Sequence, residues 1–354
     1  MKILPSTYKP DRSWFILVLT FICWLAVSIS WILAVLLTPT HARAQSDAAL
    51  APALAPLPHA ITSFGAAVLD DHLYIVGGHS GDPHHYSKAS LSEGFHRLNL
   101  SKPAKWESLP ATRKLQGLAA IAHGKHVYRI GGLEPRNAEE TPADLHSVAD
   151  VARFNPKSNA WEDCTPLPEA RSSHDAVVIG NEVIVIGGWT MTGDGSKGEW
   201  LTTVWAADLT QWPLKWRALT ETPFKRRAMS GAAADGKIIV IGGLEPKGNT
   251  TDAVSILDLA SGKWSQGAPL PSTDRMKGFG SSAFGIGNTI YANGWSTPLL
   301  AYDVEANTWK PLDVQLKQQR FFHRLVARNG QELIMIGGAG KAGQFESGQV
   351  IPLK

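Results

Sequence analysis

Short aliphatic runs that end in a glycine pair recur along the chain: LYIVGG at 73–78, VYRIGG at 127–132, VIVIGG at 183–188, IIVIGG at 238–243 and LIMIGG at 333–338, with TIYANG at 289–294 as a degenerate copy. The last glycines of the six runs stand 54, 56, 55, 51 and 44 residues apart. Runs this short, rich in Val and Ile and bounded by turn residues, predict strands rather than helices. Small apolar stretches precede them, among them GLAAIAH at 117–123, DAVVIG at 175–180 and GAAAD at 231–235, and predict a first strand in each unit. Between first and second strands lie pairs such as Gly180-Asn181, Asp235-Gly236, Gly287-Asn288 and Asn329-Gly330, which accept the positive φ of a tight hairpin. A variable loop then leads to third strands (VARFNP at 151–156, VSILDL at 254–259, LLAYDV at 299–304). Fourth strands carry Trp106, Trp161, Trp216, Trp264 and Trp309. Each of the six units therefore predicts a four-stranded antiparallel meander.

The glycine pair, an Asp or Asn before a short turn, and then Trp, as in PKSNAW at 156–161, LASGKW at 259–264 and VEANTW at 304–309, resemble the kelch repeat. The resemblance covers residues 55–354 and implies an all-β fold: a six-bladed kelch β-propeller with four antiparallel strands per blade around a central channel. The tryptophans are expected to pack between blades. After the last glycine pair only GQVIPLK at 348–354 can supply a further strand. The segment LAPLP at 54–58 is therefore expected to complete the last blade and close the ring, removing unpaired edges.

In such a meander the loops between second and third strands share one face with the blade-to-blade connections, while the 1–2 and 3–4 turns share the other. All the long loops (79–94, 133–150, 189–203 and 244–252) fall on the first of these, the loop face. The connections on that face also contain Arg113, Arg171, Arg226-Arg227, Arg275 and Arg320, each 15–18 residues before its glycine pair, with Thr62 in that region of the first unit. Arg113, Arg171, Arg227, Arg275 and Arg320 form a candidate ligand set, because guanidinium offers planar, bidentate donors to a carboxylate or phosphate. The alternative is that they bond neighbouring backbone carbonyls. Glu134 and Glu245, each in a GGLEP sequence, belong to the same face as counter-charges, acid/base groups or solvated loop carboxylates. If the arginines serve a ligand, Arg171→Ala or Arg275→Ala should weaken anion binding and barely move the melting temperature.

Charge sharpens where the chain works. Of the formal +3, residues 1–44 contribute four basic side chains and one acidic, leaving thirty of each sign in the remainder. A basic nucleic-acid-binding domain is not supported. The leader holds 24 uncharged residues from Trp14 to Leu37 and then His41-Ala42-Arg43-Ala44. This predicts a signal peptide or signal anchor at 1–44, a linker at 45–53 and the propeller at 54–354, exported to a periplasm or cell exterior, with membrane attachment only if the leader is uncleaved. Beyond the leader Cys164 stands alone, which excludes a disulfide scaffold.

No cofactor and no metal are expected. His84-His85 lack a recognisable third ligand. Ser173-His174-Asp175 are consecutive on a strand, so their side chains alternate and cannot form a relay. Copper radical oxidases on related propellers need a Cys–Tyr crosslink, and Cys164 lies three residues beyond Trp161 in an outer strand. The chain also resembles exported kelch mutarotases acting on sialic acid, in its length, six units, leader and the stretch GNTTDAVSILDL at 248–259. That resemblance implies proton-transfer-assisted opening and closing of a carboxylated sugar ring. Thr250 and Leu244, however, stand where that family's working Arg and Glu align, with Glu245 one position away. The leading expectation is a monomeric, exported binding module that recognises a polypeptide or anionic saccharide through the loop face, with a sialic acid mutarotase as the alternative.

Overall fold

The computed structural model describes residues 53–194 and 197–353, so the leader and residues 45–52 of the linker lie outside the described residues. Six radial sheets follow one another in chain order. Blade 1 comprises Gly65–Leu69, His72–Val76, Phe95–Asn99 and Trp106–Ser108; blade 2, Ala119–His123, His126–Ile130, Val151–Asn155 and Ala160–Asp163; blade 3, Asp175–Ile179, Glu182–Ile186, Trp205–Asp208 and Arg217–Ala218. Blade 4 comprises Ser230–Ala234, Lys237–Ile241, Val254–Asp258 and Lys263–Gly267; blade 5, Ser282–Ile286, Thr289–Asn293, Leu300–Asp303 and Thr308–Pro311; blade 6, Arg324–Arg328, Glu332–Ile336 and Gly348–Pro352. Neighbouring first strands touch in ring order, blade 6 meeting blade 1.

The second strands are apolar because both their faces are covered: Val183, Ile184, Val185 and Ile186 are all fully buried, as are Ile238 to Ile241. Side chains alternate along each strand, so each blade contributes one set to the core on either side of it. The result is six cores, each shared by two adjacent blades. The five fourth-strand tryptophans stand in these gaps as expected. Each indole donates to the carbonyl of the connection entering its own blade: Trp106 to Ala55, Trp161 to Pro110, Trp216 to Thr165, Trp264 to Thr220 and Trp309 to Ala268. The hairpin turns also match, with Asp235 at φ 49° and Gly236 at φ 68° between the paired residues Ala234 and Lys237.

The end of the ring differs from the sequence expectation in one respect. Residues 54–58 do close the gap between blades 6 and 1, burying Leu57 in their shared core, but they lie there as a connection and not as a ladder strand. Pro56 and Pro58 have no N–H to give. The bonds made are Ala55 N–H to the Pro103 carbonyl and Leu57 N–H to the Glu346 carbonyl, both 2.8 Å. Among the described residues the sixth blade is three-stranded.

On the loop face two of the long loops fold into a sheet of their own. Leu133–Pro135 and Leu145–Ser147 from blade 2 pair with Trp189–Gly193 and Gly198–Trp200 from blade 3. The junction is Thr192 with His146 and Gly193 with Leu145. Leu133, Leu145 and Met191 bury a small apolar centre beneath it. The blade 1 loop is tied in as well, through Lys88 N–H to the Asn137 carbonyl at 3.0 Å and Gln344 Nε2 to the Gly81 carbonyl at 2.8 Å.

Candidate functional site: the channel mouth

Just before each first strand stands a residue in the left-handed region: Ser63, Gly117, Ser173, Ala228, Gly280 and Phe322, at φ 50–64°. Their backbones link around the axis, each N–H donating to the carbonyl of the previous blade's residue from Gly117 to Ser63 through Phe322 to Gly280, at 2.7–2.9 Å. This girdle rims the channel on the loop face. One residue further out come Thr62, Gln116, Ser172, Arg227, Phe279 and Phe321. Bridges join Thr62 to His79, Gln116 to Leu133, Ser172 to Trp189, Arg227 to Leu244 and Phe321 to Ala339, so the residue after each glycine pair also faces the mouth.

The five candidate arginines do not converge there. Arg171 has no exposed surface, and its guanidinium donates to the carbonyls of Gly187 and Thr203, to the Thr203 hydroxyl and to Glu169. Arg320, 1% exposed, donates to the carbonyls of Gly337 and Ser347, to Gln318 Oε1 and to Ser347 Oγ. Burial lowers both to about 10, so both stay cationic at neutral pH. Arg226 occupies the matching place in blade 4, bonded to the Ala253 carbonyl and Ser255 Oγ. These three are inter-strand staples, which corrects the reading of Arg171 and Arg320 as ligand groups. Arg275 is exposed, and its carbonyl accepts from Thr250 Oγ1.

Arg113 is also taken. Its Nε and Nη2 fork onto Glu134 at 2.9 and 2.8 Å, its Nη1 reaches Asp150, and Arg136 adds a further bond to Glu134. The Arg113 guanidinium holds Glu134 down from its ordinary 4.5 to about 2, so this carboxyl is a fixed counter-charge and no proton donor. A depressed carboxyl contributes stability that is complete above pH 4.5 and lost as the pH falls through 2. Glu134→Gln should therefore narrow its stability deficit relative to the parent progressively across that window in urea titrations at stepped pH. Glu245 stands 3.9 Å from Arg226 Nε. Cys164 is buried, its thiol pushed up to about 11 by burial, as its outer-strand place suggests.

Arg227 is the arginine that reaches the mouth. Its guanidinium lies 4.0 Å over the Trp189 ring and 5.6 Å from that of Trp200. Among the described residues it makes no ion pair, its Nε is buried without a partner, and the adjacent Trp189 Nε1 is also unpartnered. Desolvation lowers its pKa, and the Tyr86 phenol, leaning over from the blade 1 loop, acts in the opposite sense. A desolvated cation with unmade hydrogen bonds, held by aromatic faces, is prepared for an anion. Across blades 5 and 6 the rim is aromatic: Trp295 packs on Phe321 at 5.0 Å, Phe279 on Phe322 at 5.0 Å and Phe321 on Phe322 at 5.1 Å. These aromatics were missed in the sequence, although a signal existed: Trp189 and Trp295 both directly follow the closing glycine of their units.

A family model described as the KLHDC2/KLHL20/DRC7 Kelch-repeats domain matches residues 167–338. Kelch-like protein 40 of Xenopus tropicalis is 29% identical over 195 residues, which are 53% of this chain and 27% of that protein. Alpha-scruin of Limulus polyphemus is 28% identical over 181 residues, 50% of this chain and 18% of that protein. The matched region thus spans about a quarter or less of these relatives. The solved structure of YjhT superposes with a TM-score of 0.68 at 18% identity, covering 85% of this chain and 97% of that one.

Proposed function

The chain is a kelch-repeat β-propeller, and on that premise we propose that it is an exported interaction module whose channel mouth recognises a carboxylate-bearing ligand, on a polypeptide or a saccharide. One observation carries the reading: Arg227, stacked on Trp189 and Trp200, has no carboxylate partner among the described residues, and its buried Nε has no hydrogen-bond partner. The aromatic wall of Phe279, Phe321, Phe322 and Trp295 would take the apolar part of the same ligand. Export is supported by the uncharged stretch from Trp14 to Leu37, which follows a short basic segment ahead of the propeller.

Arg227→Met keeps the bulk and removes the charge and donors. Titration of intrinsic tryptophan fluorescence with an acidic peptide and with N-acetylneuraminate should give saturable binding of at least one, weakened roughly tenfold or more in the variant, since a charge-assisted bond contributes on the order of 1.5–3 kcal/mol. Equal affinity in parent and variant would refute the reading. Leu244 and Thr250, which stand where the mutarotase family's working Glu and Arg align, are engaged in loop structure: they bridge one another, and the Thr250 hydroxyl donates to the Arg275 carbonyl.

A further inference from the structure

The blade 1 loop carries Tyr86 across the channel mouth. Blades 1 and 4 stand opposite each other in a ring of six, yet the Tyr86 phenol of blade 1 and the Arg227 guanidinium of blade 4 are near enough to act on each other's ionisation. Bonds from both neighbouring blades hold the loop in that reach. Asn137 of blade 2 donates Nδ2 to the Tyr86 carbonyl at 2.8 Å, and its own carbonyl accepts Lys88 N–H at 3.0 Å. From blade 6, Gln344 Nε2 donates to the Gly81 carbonyl at 2.8 Å. Directly after Tyr86 the chain is knotted, Ser87 N–H donating to Ser90 Oγ and Ser90 Oγ to the Ser87 carbonyl, both at 2.9 Å. With the backbone pinned, His79 backs the phenol ring at 5.5 Å between centroids. His79 directly follows the glycine pair of blade 1, the place Trp189 holds in blade 3. One repeat position therefore supports Tyr86 on one side of the mouth and Arg227 on the other.

The hydroxyl so placed is a spare donor. Tyr86 is 37% exposed, and its phenol makes no hydrogen bond among the described residues, with Arg227 or with any other group. Partial burial raises the phenol above its ordinary 10, the Arg227 charge opposing, so the O–H is intact at neutral pH. His79 adds no charge beside it: its Nε2–H donates to the Asp82 carbonyl at 3.0 Å, and burial lowers its pKa. Arg227 brings donors only, since a guanidinium accepts no hydrogen bond. Unused donors thus face one opening from opposite blades without bonding each other. A carboxylate lying between them satisfies both, with one oxygen toward each.

We infer that Tyr86 is a ligand-binding residue of the mouth, its O–H donating to the same carboxylate that Arg227 holds, so that the ligand is clamped between the blade 1 loop and blade 4. This role rests on Arg227 being the group that meets the carboxylate. Tyr86→Phe removes only the hydroxyl and should leave the melting temperature within about 1 °C of the parent. In tryptophan-fluorescence titrations with the acidic peptide and with N-acetylneuraminate, it should weaken whichever binding Arg227→Met weakens by about fivefold or more. Because both residues act on one carboxylate, the loss in the Tyr86→Phe/Arg227→Met double variant should fall short of the product of the single losses by about twofold or more. Parent-like affinity in Tyr86→Phe, with the Arg227→Met loss still present, overturns the role of Tyr86 and leaves that of Arg227 standing. Multiplying losses would put the hydroxyl on another part of the ligand and overturn the shared carboxylate. A parent that binds neither probe, or binding that ignores Arg227→Met, removes both.

Discussion

Arg171→Ala and Arg320→Ala should each lower stability by about 3–5 kcal/mol, the range for stranding buried polar partners. For a domain of this size that corresponds to a fall of roughly 6–10 °C in melting temperature, with ligand affinity per folded molecule unchanged. This reverses the outcome expected from sequence, where Arg171→Ala was to affect binding and spare the fold. The physical reason is the number of acceptors each guanidinium serves. Without Arg171 the carbonyls of Gly187 and Thr203 lose a donor, and Glu169 loses its cation. Without Arg320 the carbonyls of Gly337 and Ser347 lose theirs. Lysine cannot reproduce the fork, so Arg171→Lys should recover only part of the loss. Calorimetry on the purified propeller checks this, and a shift under about 2 °C for either alanine variant contradicts the staple role.

What the sequence could and could not reveal follows from how local each feature is. Strands, hairpin turns and the inter-blade tryptophans depend on neighbours within one repeat, and the repeat itself made them legible. The arginines were grouped by an approximate spacing to the glycine pair, and that spacing varies with loop length. Counted instead from the girdle, Arg171, Arg226 and Arg320 all lie two residues before it, Arg227 lies one before it, and Arg113 and Arg275 lie farther away. One residue decides whether a guanidinium turns into the blade or out to the mouth, because neighbours on an extended chain point to opposite sides. The sheet formed by Leu133–Pro135, Leu145–Ser147, Trp189–Gly193 and Gly198–Trp200 pairs loops from different blades, and no periodicity within either loop announces it. Asp175 of blade 3 meets Arg324 of blade 6 at 3.4 Å, a proximity set by ring closure and by nothing local in the sequence.

Gly242→Ala should be among the most damaging single-methyl changes in the propeller. In blades 3, 4 and 6 the place two residues before the girdle holds an arginine; in blade 5 it holds Gly278. The connection there tightens through Asp274, whose Oδ1 accepts from Met276 N–H and Lys277 N–H. Its backbone then runs directly against the glycine pair of blade 4, with Gly243 N–H donating to the Gly278 carbonyl at 3.0 Å. A Cβ on Gly242 would stand 2.4 Å from Gly278 Cα and 2.5 Å from its carbonyl oxygen, and Gly242 has φ +64°. The left-handed conformation alone costs about 1–2 kcal/mol in a residue with a Cβ. The collision is with backbone, which no rotamer relieves, so the total should exceed about 3 kcal/mol. Gly236 is the control: its φ is +68° and a Cβ there meets nothing within 4 Å, so Gly236→Ala should show the conformational cost alone. Chemical denaturation of the two variants separates the effects. Similar losses in both would mean that the blade 4–blade 5 seam yields to a methyl group, and would remove close backbone approach as the reason for glycine at 242.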